Sequence, residues 1–194
     1  MLDELTPVQI AVAAAAAGLL LLLILIVWLR HRRRALARRL GKAGFDMLSD
    51  ILVPNGDGGE IHLEHVLLSP RGVVLIDIKD VVGNVFGSDS MQDWTVISAK
   101  RRFTFSNPQQ PLYDRLAAVR RLVPGVPVEG YVAFTSGAEF SKGQPTNVAA
   151  LDALLDELTT ETRADPLPED YRAQWEKLRE EAISTQVGHL LKGA

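Results

Sequence analysis

Residues 73–87 read VVLIDIKDVVGNVFG, and the fold turns on how this run is taken. Side chains alternate along a strand, so Val73, Leu75, Asp77 and Lys79 share one face while Val74, Ile76 and Ile78 share the other. Both faces begin apolar, the pattern of an interior strand, and only one turns charged at its end. The run before it, EIHLEHVLL (60–68), is joined by Ser69-Pro70-Arg71-Gly72. A hairpin that sets Leu68 opposite Val73 sets Glu64 opposite Asp77 and His62 opposite Lys79.

Two opposed carboxylates with Cβ atoms ~5 Å apart repel each other. A fold tolerates the pair when one acid is protonated, when a lysine bridges them, or when a divalent cation sits between them. Mg²⁺ binds through one or two carboxylates and keeps waters for a substrate phosphate. Lys79 would then stabilise charge developing on that phosphate. An Asp-x-Lys on a strand is also an ordinary salt-bridged strand end.

Further out, residues 8–29 carry no charge, and a helix of that length spans ~33 Å, matching a ~30 Å hydrocarbon core. The leader MLDELTP has no Lys or Arg and no small-residue cleavage pattern follows, so the run is expected to be a retained transmembrane helix and not a secretory signal. Arg30, Arg32, Arg33 and Arg34 follow at once, which places a short N-terminus (1–7) outside and the rest in the cytoplasm at the plasma (inner) membrane. The basic segment 30–40 serves as topology determinant and touches anionic headgroups. Residues 43–194 hold 14 basic against 22 acidic side chains, a net of −8, which argues against a protein that coats nucleic acid non-specifically. The chain has no cysteine and hence no disulfide framework.

The spacing of Leu36, Leu40, Met47, Leu48 and Ile51 predicts a helix over 35–52. Strands are expected at 60–68, 72–80, 83–87 and 92–105, the last broken near SAKRR, and at 128–136. Helices are expected from Asn107-Pro108 to Val123, from a Thr146 cap to Arg163, and from Pro168 to Leu191. Strands followed by helix–strand–helix imply an α/β fold, a mixed sheet flanked by helices. On the last helix Tyr171, Trp175, Leu178 and Ala182 form a stripe that packs on its own domain or makes a homo-oligomer seam. Lys100, Arg101 and Arg102 beside Phe103 and Phe105 read either as a solvated hairpin with two core rings or as a backbone-and-base contact. His62 and His65 point to opposite faces of their strand and cannot share a metal. No P-loop or Gly-x-Ser-x-Gly elbow occurs.

The run LEHVLLSPRGVVLIDIKDVVGNVFGSDSMQDW resembles the nuclease-related domain (NERD) family. Glu64-His65, Gly72, Asp77 with Lys79, Gly83, Gly87 and Trp94 match its elements in order, and Asn107-Pro108 and YVAFTS follow suit. The resemblance covers 41–150, leaving 151–194 as a C-terminal helical segment. It implies a restriction-endonuclease-like sheet, distantly related to PD-(D/E)XK nucleases, behind an N-terminal membrane anchor. It also implies a metal-dependent nuclease centre: Glu64 and Asp77 holding Mg²⁺ or Mn²⁺, Lys79 assisting a water, Gln109 positioning a phosphate of DNA or RNA. The chain departs from the pattern at Phe45, where an acid is expected, and at Pro111, where a Gln is expected; Gln109 and Tyr113 echo the Gln-x-x-x-Tyr of some related exonucleases. Two functions follow: a membrane-anchored Mg²⁺-dependent phosphodiesterase, or a catalytically silent module that binds nucleic acid or protein at the membrane.

Overall fold

The computed structural model describes residues 7–192, with side chains from 16 to 186. The chain forms two compact units, 1–39 and 40–194. The first is helix α1 (Pro7–Leu40), whose described apolar residues from Leu19 to Leu29 are all exposed, Val27 at 65%. Arg32 lies over the Trp28 ring at 4.8 Å. The first seven residues, expected to lie outside the membrane, fall almost wholly outside the described residues, as do the side chains that open the expected span 8–29. Among the described residues no helix is long and apolar enough to cross a membrane. The part of the run whose side chains are described, residues 16–29, rises only ~21 Å.

The second unit is α/β, with two sheets and three helices among the described residues. Its strands are β1 (Asp46–Pro54), β2 (Glu60–Ser69), β3 (Gly72–Lys79), β4 (Gly83–Phe86), β5 (Asp93–Ile97), β6 (Arg102–Ser106), β7 (Val128–Phe134), β8 (Ala138–Glu139) and β9 (Val148–Ala150). Helix α2 (Gln109–Leu122) precedes β7; α3 (Leu151–Ala164) and α4 (Glu169–Lys192) close the chain. One sheet runs β1-β2-β3-β7-β9 and the other β6-β5-β4-β8, each mixed in direction. The β2–β3 hairpin has the register read from the sequence, Leu68 opposite Val73. Its turn requires glycine at 72, where φ is +123° and a Cβ would stand 2.2 Å from the Pro127 carbonyl oxygen.

The odd face of β3 (Val73, Leu75) meets Leu112, Leu116 and Val119 of α2 and Trp175, Leu178 and Ala182 of α4 in one buried cluster. The C-terminal stripe thus packs on its own unit, and Trp175 Nε1 donates to Asp46 Oδ2 at 3.0 Å. Arg71 in the β2–β3 turn bonds Glu157 and Glu161 of α3, and the carboxylates of Glu161 and then Glu157 hold its guanidinium pKa up. In the second sheet Trp94, fully buried, stacks on Phe134 at 6.3 Å and meets Phe105 and Phe140 edge-on. Phe103 and Phe105, half-buried, pack against the core, with Arg101 over Phe103 at 5.1 Å, which is the arrangement of a solvated hairpin with two core-facing rings.

Two local readings change. Residues 46–54 are a strand and not the end of a helix. Apolar side chains reach the core from Leu48, Ile51 and Val53, and from Ile61, Leu63, Val66 and Leu68 on its partner. Both strands therefore change face together at Asp50 and Glu64, the one opposed pair missing from an otherwise continuous ladder. Asp50 there has φ +54°, a left-handed conformation that Asp tolerates better than most residues. The resulting three-residue step from 48 to 51 mimics helical spacing. Thr146, expected to cap α3, instead donates to Asp89, and β9 intervenes before the helix.

Candidate functional site

The acid pair stands where the β2–β3 ladder ends. The last pair is His65 opposite Ile76, so Glu64 and Asp77 come next and are no longer joined through their backbones. Backbone groups left unpaired there need partners. Glu64 Oε2 accepts the Ile78 N–H at 3.0 Å, standing in for a strand carbonyl. Asp77, 4% exposed, accepts from Arg115 Nη1 at 2.6 Å through Oδ2. The same guanidinium donates through Nε to the His62 carbonyl at 2.8 Å, so Arg115 bridges the two strands across the gap.

Arg115 carries no motif and was not among the residues singled out from sequence. Its signal is positional. Leu112, Leu116 and Val119 are the core stripe of α2, and Arg115, one turn beyond Leu112, is a cation at the margin of that stripe facing the charged end of β3. His65 lies behind the pair, its Nδ1 3.0 Å from Ser49 Oγ. Burial lowers the His65 pKa, against an opposing pull from the carboxylates of Glu64, Asp50 and Asp77. His62 Nε2 is 3.4 Å from Asp50 Oδ1. Lys79 is half-buried at the end of β3, and its backbone carbonyl accepts the Thr135 N–H at 3.1 Å.

Gln109 belongs to a different knot. Its Nε2 donates to Asp89 Oδ1 at 2.7 Å and to the Thr146 carbonyl at 2.6 Å, while its buried Oε1 has no partner among the described residues. Hydrogen bonds from Thr146 and Gln109 hold the Asp89 carboxylate below its usual pKa. Phe45, in the position where an acid is expected, is 40% exposed, and the neighbouring Asp46 is held by Trp175 and Arg179 of α4.

These contacts test the site for a divalent cation. Among the described residues no group of three or more His, Asp or Glu is placed to hold a metal. Asp77 already holds a guanidinium and Glu64 a backbone N–H, so the residues as arranged do not fit Mg²⁺ or Mn²⁺. What they do form is a cross-braced strand end in which Asp77 is ion-paired and Glu64 hydrogen-bonded to the backbone.

A mixed α/β unit with an acid–acid–lysine set at the end of a sheet hairpin defines the class. A family model described as nuclease-related domain matches residues 29–135, and the chain belongs to that family. The chain is similar, at 21% identity over 90 residues, to an uncharacterized protein of Bacillus anthracis. The match covers 46% of this chain and 42% of that protein, so the chain spans less than half the length of the curated relative it matches. No solved structure matches it.

Proposed function

We propose that this chain is a non-hydrolytic binding module on a nuclease-related fold, tethered to the cytoplasmic face of the inner membrane. The observation that carries the reading is the Arg115–Asp77 pair, with the Asp77 side chain 6% and the Arg115 side chain 24% exposed. A carboxylate so engaged does not present itself to a metal, and Phe45 supplies no third acid. The net of −8 over residues 43–194 disfavours a phosphate backbone as partner and favours a protein with a basic surface. Tethering is supported by the uncharged run 8–29, the arginines that follow it, and the exposed apolar side chains from Leu19 to Leu29.

A second reading, metal-dependent phosphodiester hydrolysis on a distant PD-(D/E)XK relative, is favoured by Glu64, Asp77 and Lys79 standing at one hairpin end. The deciding experiment incubates the full chain in nanodiscs with single- and double-stranded DNA and RNA, in Mg²⁺ and in Mn²⁺. The binding reading expects intact nucleic acid throughout. Cleavage that disappears in Asp77→Asn overturns it in favour of hydrolysis.

A further inference from the structure

We infer that Arg115 is the chain's own counter-cation for the acid pair: its guanidinium takes the place at Asp77 that a divalent cation would take, and holds the centre closed to metal. The inference rests on the binding reading above and gives it a cause.

Three observations carry it. The first is chemical. Asp77 is almost fully buried, and a buried carboxylate demands a positive partner. Arg115 meets that demand with a charge-assisted bond of 2.6 Å. Mg²⁺ requires ~2.0–2.1 Å to a carboxylate oxygen, and a second cation so near a guanidinium already bonded to that carboxylate is repelled by it.

The second is geometric. Arg115 is held by a second bond, Nε donating to the His62 carbonyl at 2.8 Å. The two bonds fall on β2 and β3, on the side of His65–Ile76 where the ladder has ended. A metal entering at Asp77 Oδ2 has to displace the bond to that oxygen, from a guanidinium that the bond to His62 holds in place.

The third concerns Glu64. Its carboxylate faces the Ile78 N–H at 3.0 Å, completing the strand end from the other side. The charged and polar groups around the pair come from every neighbouring element: Asp50 with His62 from β1 and β2, His65 with Ser49, half-buried Lys79 at the end of β3, and Arg115 from α2. Arg115 is the cation bonded to Asp77, and removing its charge takes away that carboxylate's bonded counter-charge.

The test is Mn²⁺ binding, read by calorimetry and by the electron paramagnetic resonance of free Mn²⁺, on the full chain in nanodiscs. Arg115→Gln keeps an amide donor near Asp77 and removes the charge. An opposite charge in contact shifts a carboxylate's proton affinity by one to three units, so the same charge removed strengthens cation binding by about tenfold or more. Wild type and Arg115→Lys are expected to show no saturable Mn²⁺ uptake at millimolar concentration. Arg115→Gln gains it, and Asp77→Asn in the Arg115→Gln background loses it again. If Arg115→Gln does not stay folded alone, Mn²⁺ is expected to restore its folded signal. Silence of folded Arg115→Gln, failure of Mn²⁺ to restore an unfolded one, or equal binding by wild type each overturns the inference. The two proposals fail separately: wild type that binds Mn²⁺ without cleaving removes the counter-cation and leaves the binding reading standing, whereas cleavage by wild type removes the binding reading itself.

Discussion

Gly87→Ala puts the packing of the second sheet to a quantitative test. A Cβ at 87 would stand 2.3 Å from Trp94 Cδ2, 2.6 Å from Cγ and 2.7 Å from Cε2. Carbon atoms in contact sit ~3.5–4.0 Å apart, so the indole or the strand has to retreat by more than an ångström. The ring has nowhere to go, being 0% exposed, stacked on Phe134 and flanked by Phe105 and Phe140. Its Nε1 is also tied to the Ser88 carbonyl at 3.2 Å. Overpacking of this kind costs about 3 kcal/mol. For a unit the size of residues 40–194 that is a fall in Tm of about 6–12 °C. The assay is urea and thermal unfolding followed by tryptophan fluorescence and circular dichroism, in the wild-type and Trp94→Phe backgrounds. With the smaller ring the penalty of Gly87→Ala should drop below about 1 kcal/mol, giving a coupling that independent sites do not show. A loss under about 0.5 kcal/mol, or an equal loss in both backgrounds, would refute the argument that glycine is there to admit the indole.

Trp175→Ala should destabilise the unit by about 3–5 kcal/mol, because it opens a cavity in the core and leaves Asp46 without its indole donor, measurable by chemical unfolding. Arg71→Ala releases the tie from the β2–β3 turn to Glu157 and Glu161; a loss of about 1 kcal/mol is expected, shrinking in high salt, since the cluster is partly exposed. His65 contributes a pH dependence of definite sign. Burial lowers its folded-state pKa below the unfolded 6.5, so the unfolded chain takes up the proton first. Stability from this group is complete above that value and declines as pH falls through it, and His65→Gln should flatten unfolding free energy just below pH 6.5 relative to wild type. A wild-type decline that persists unchanged in the variant assigns it to another group.

The hairpin was the legible part of this fold, for a physical reason. Alternation on β3 and continuous apolar character on both its faces exclude a slip of one residue but not of two; the short glycine-bearing turn chooses between the remaining registers, and Leu68 stands opposite Val73 as a tight turn requires. β1 was illegible because the face switch at Asp50 converts a period of two into a step of three, which reads as a helix. The acid pair was legible as a pair but not in its partners. Arg115 lies 38 residues from Asp77, and only the packing of α2 on the sheet brings them together. Gln109 shows the same limit from the other side: its position at the start of α2 was readable, but its amide is turned to Asp89 and Thr146, residues 20 and 37 positions away.

The seat of α4 on β1 has a consequence for synthesis. Trp175 bonds Asp46 across 129 residues of chain. At a translation rate of ~5–20 residues per second, the first strand of the sheet waits on the order of 10 s for the helix that covers it. During that interval β1 is an edge strand with an apolar flank, attached to a nascent segment whose upstream end is the most hydrophobic part of the chain. A ribosome paused between α3 and α4 would hold the polypeptide in its most adhesive form, which makes the codons for residues 165–175 the place where slowed elongation should most increase the demand for chaperones.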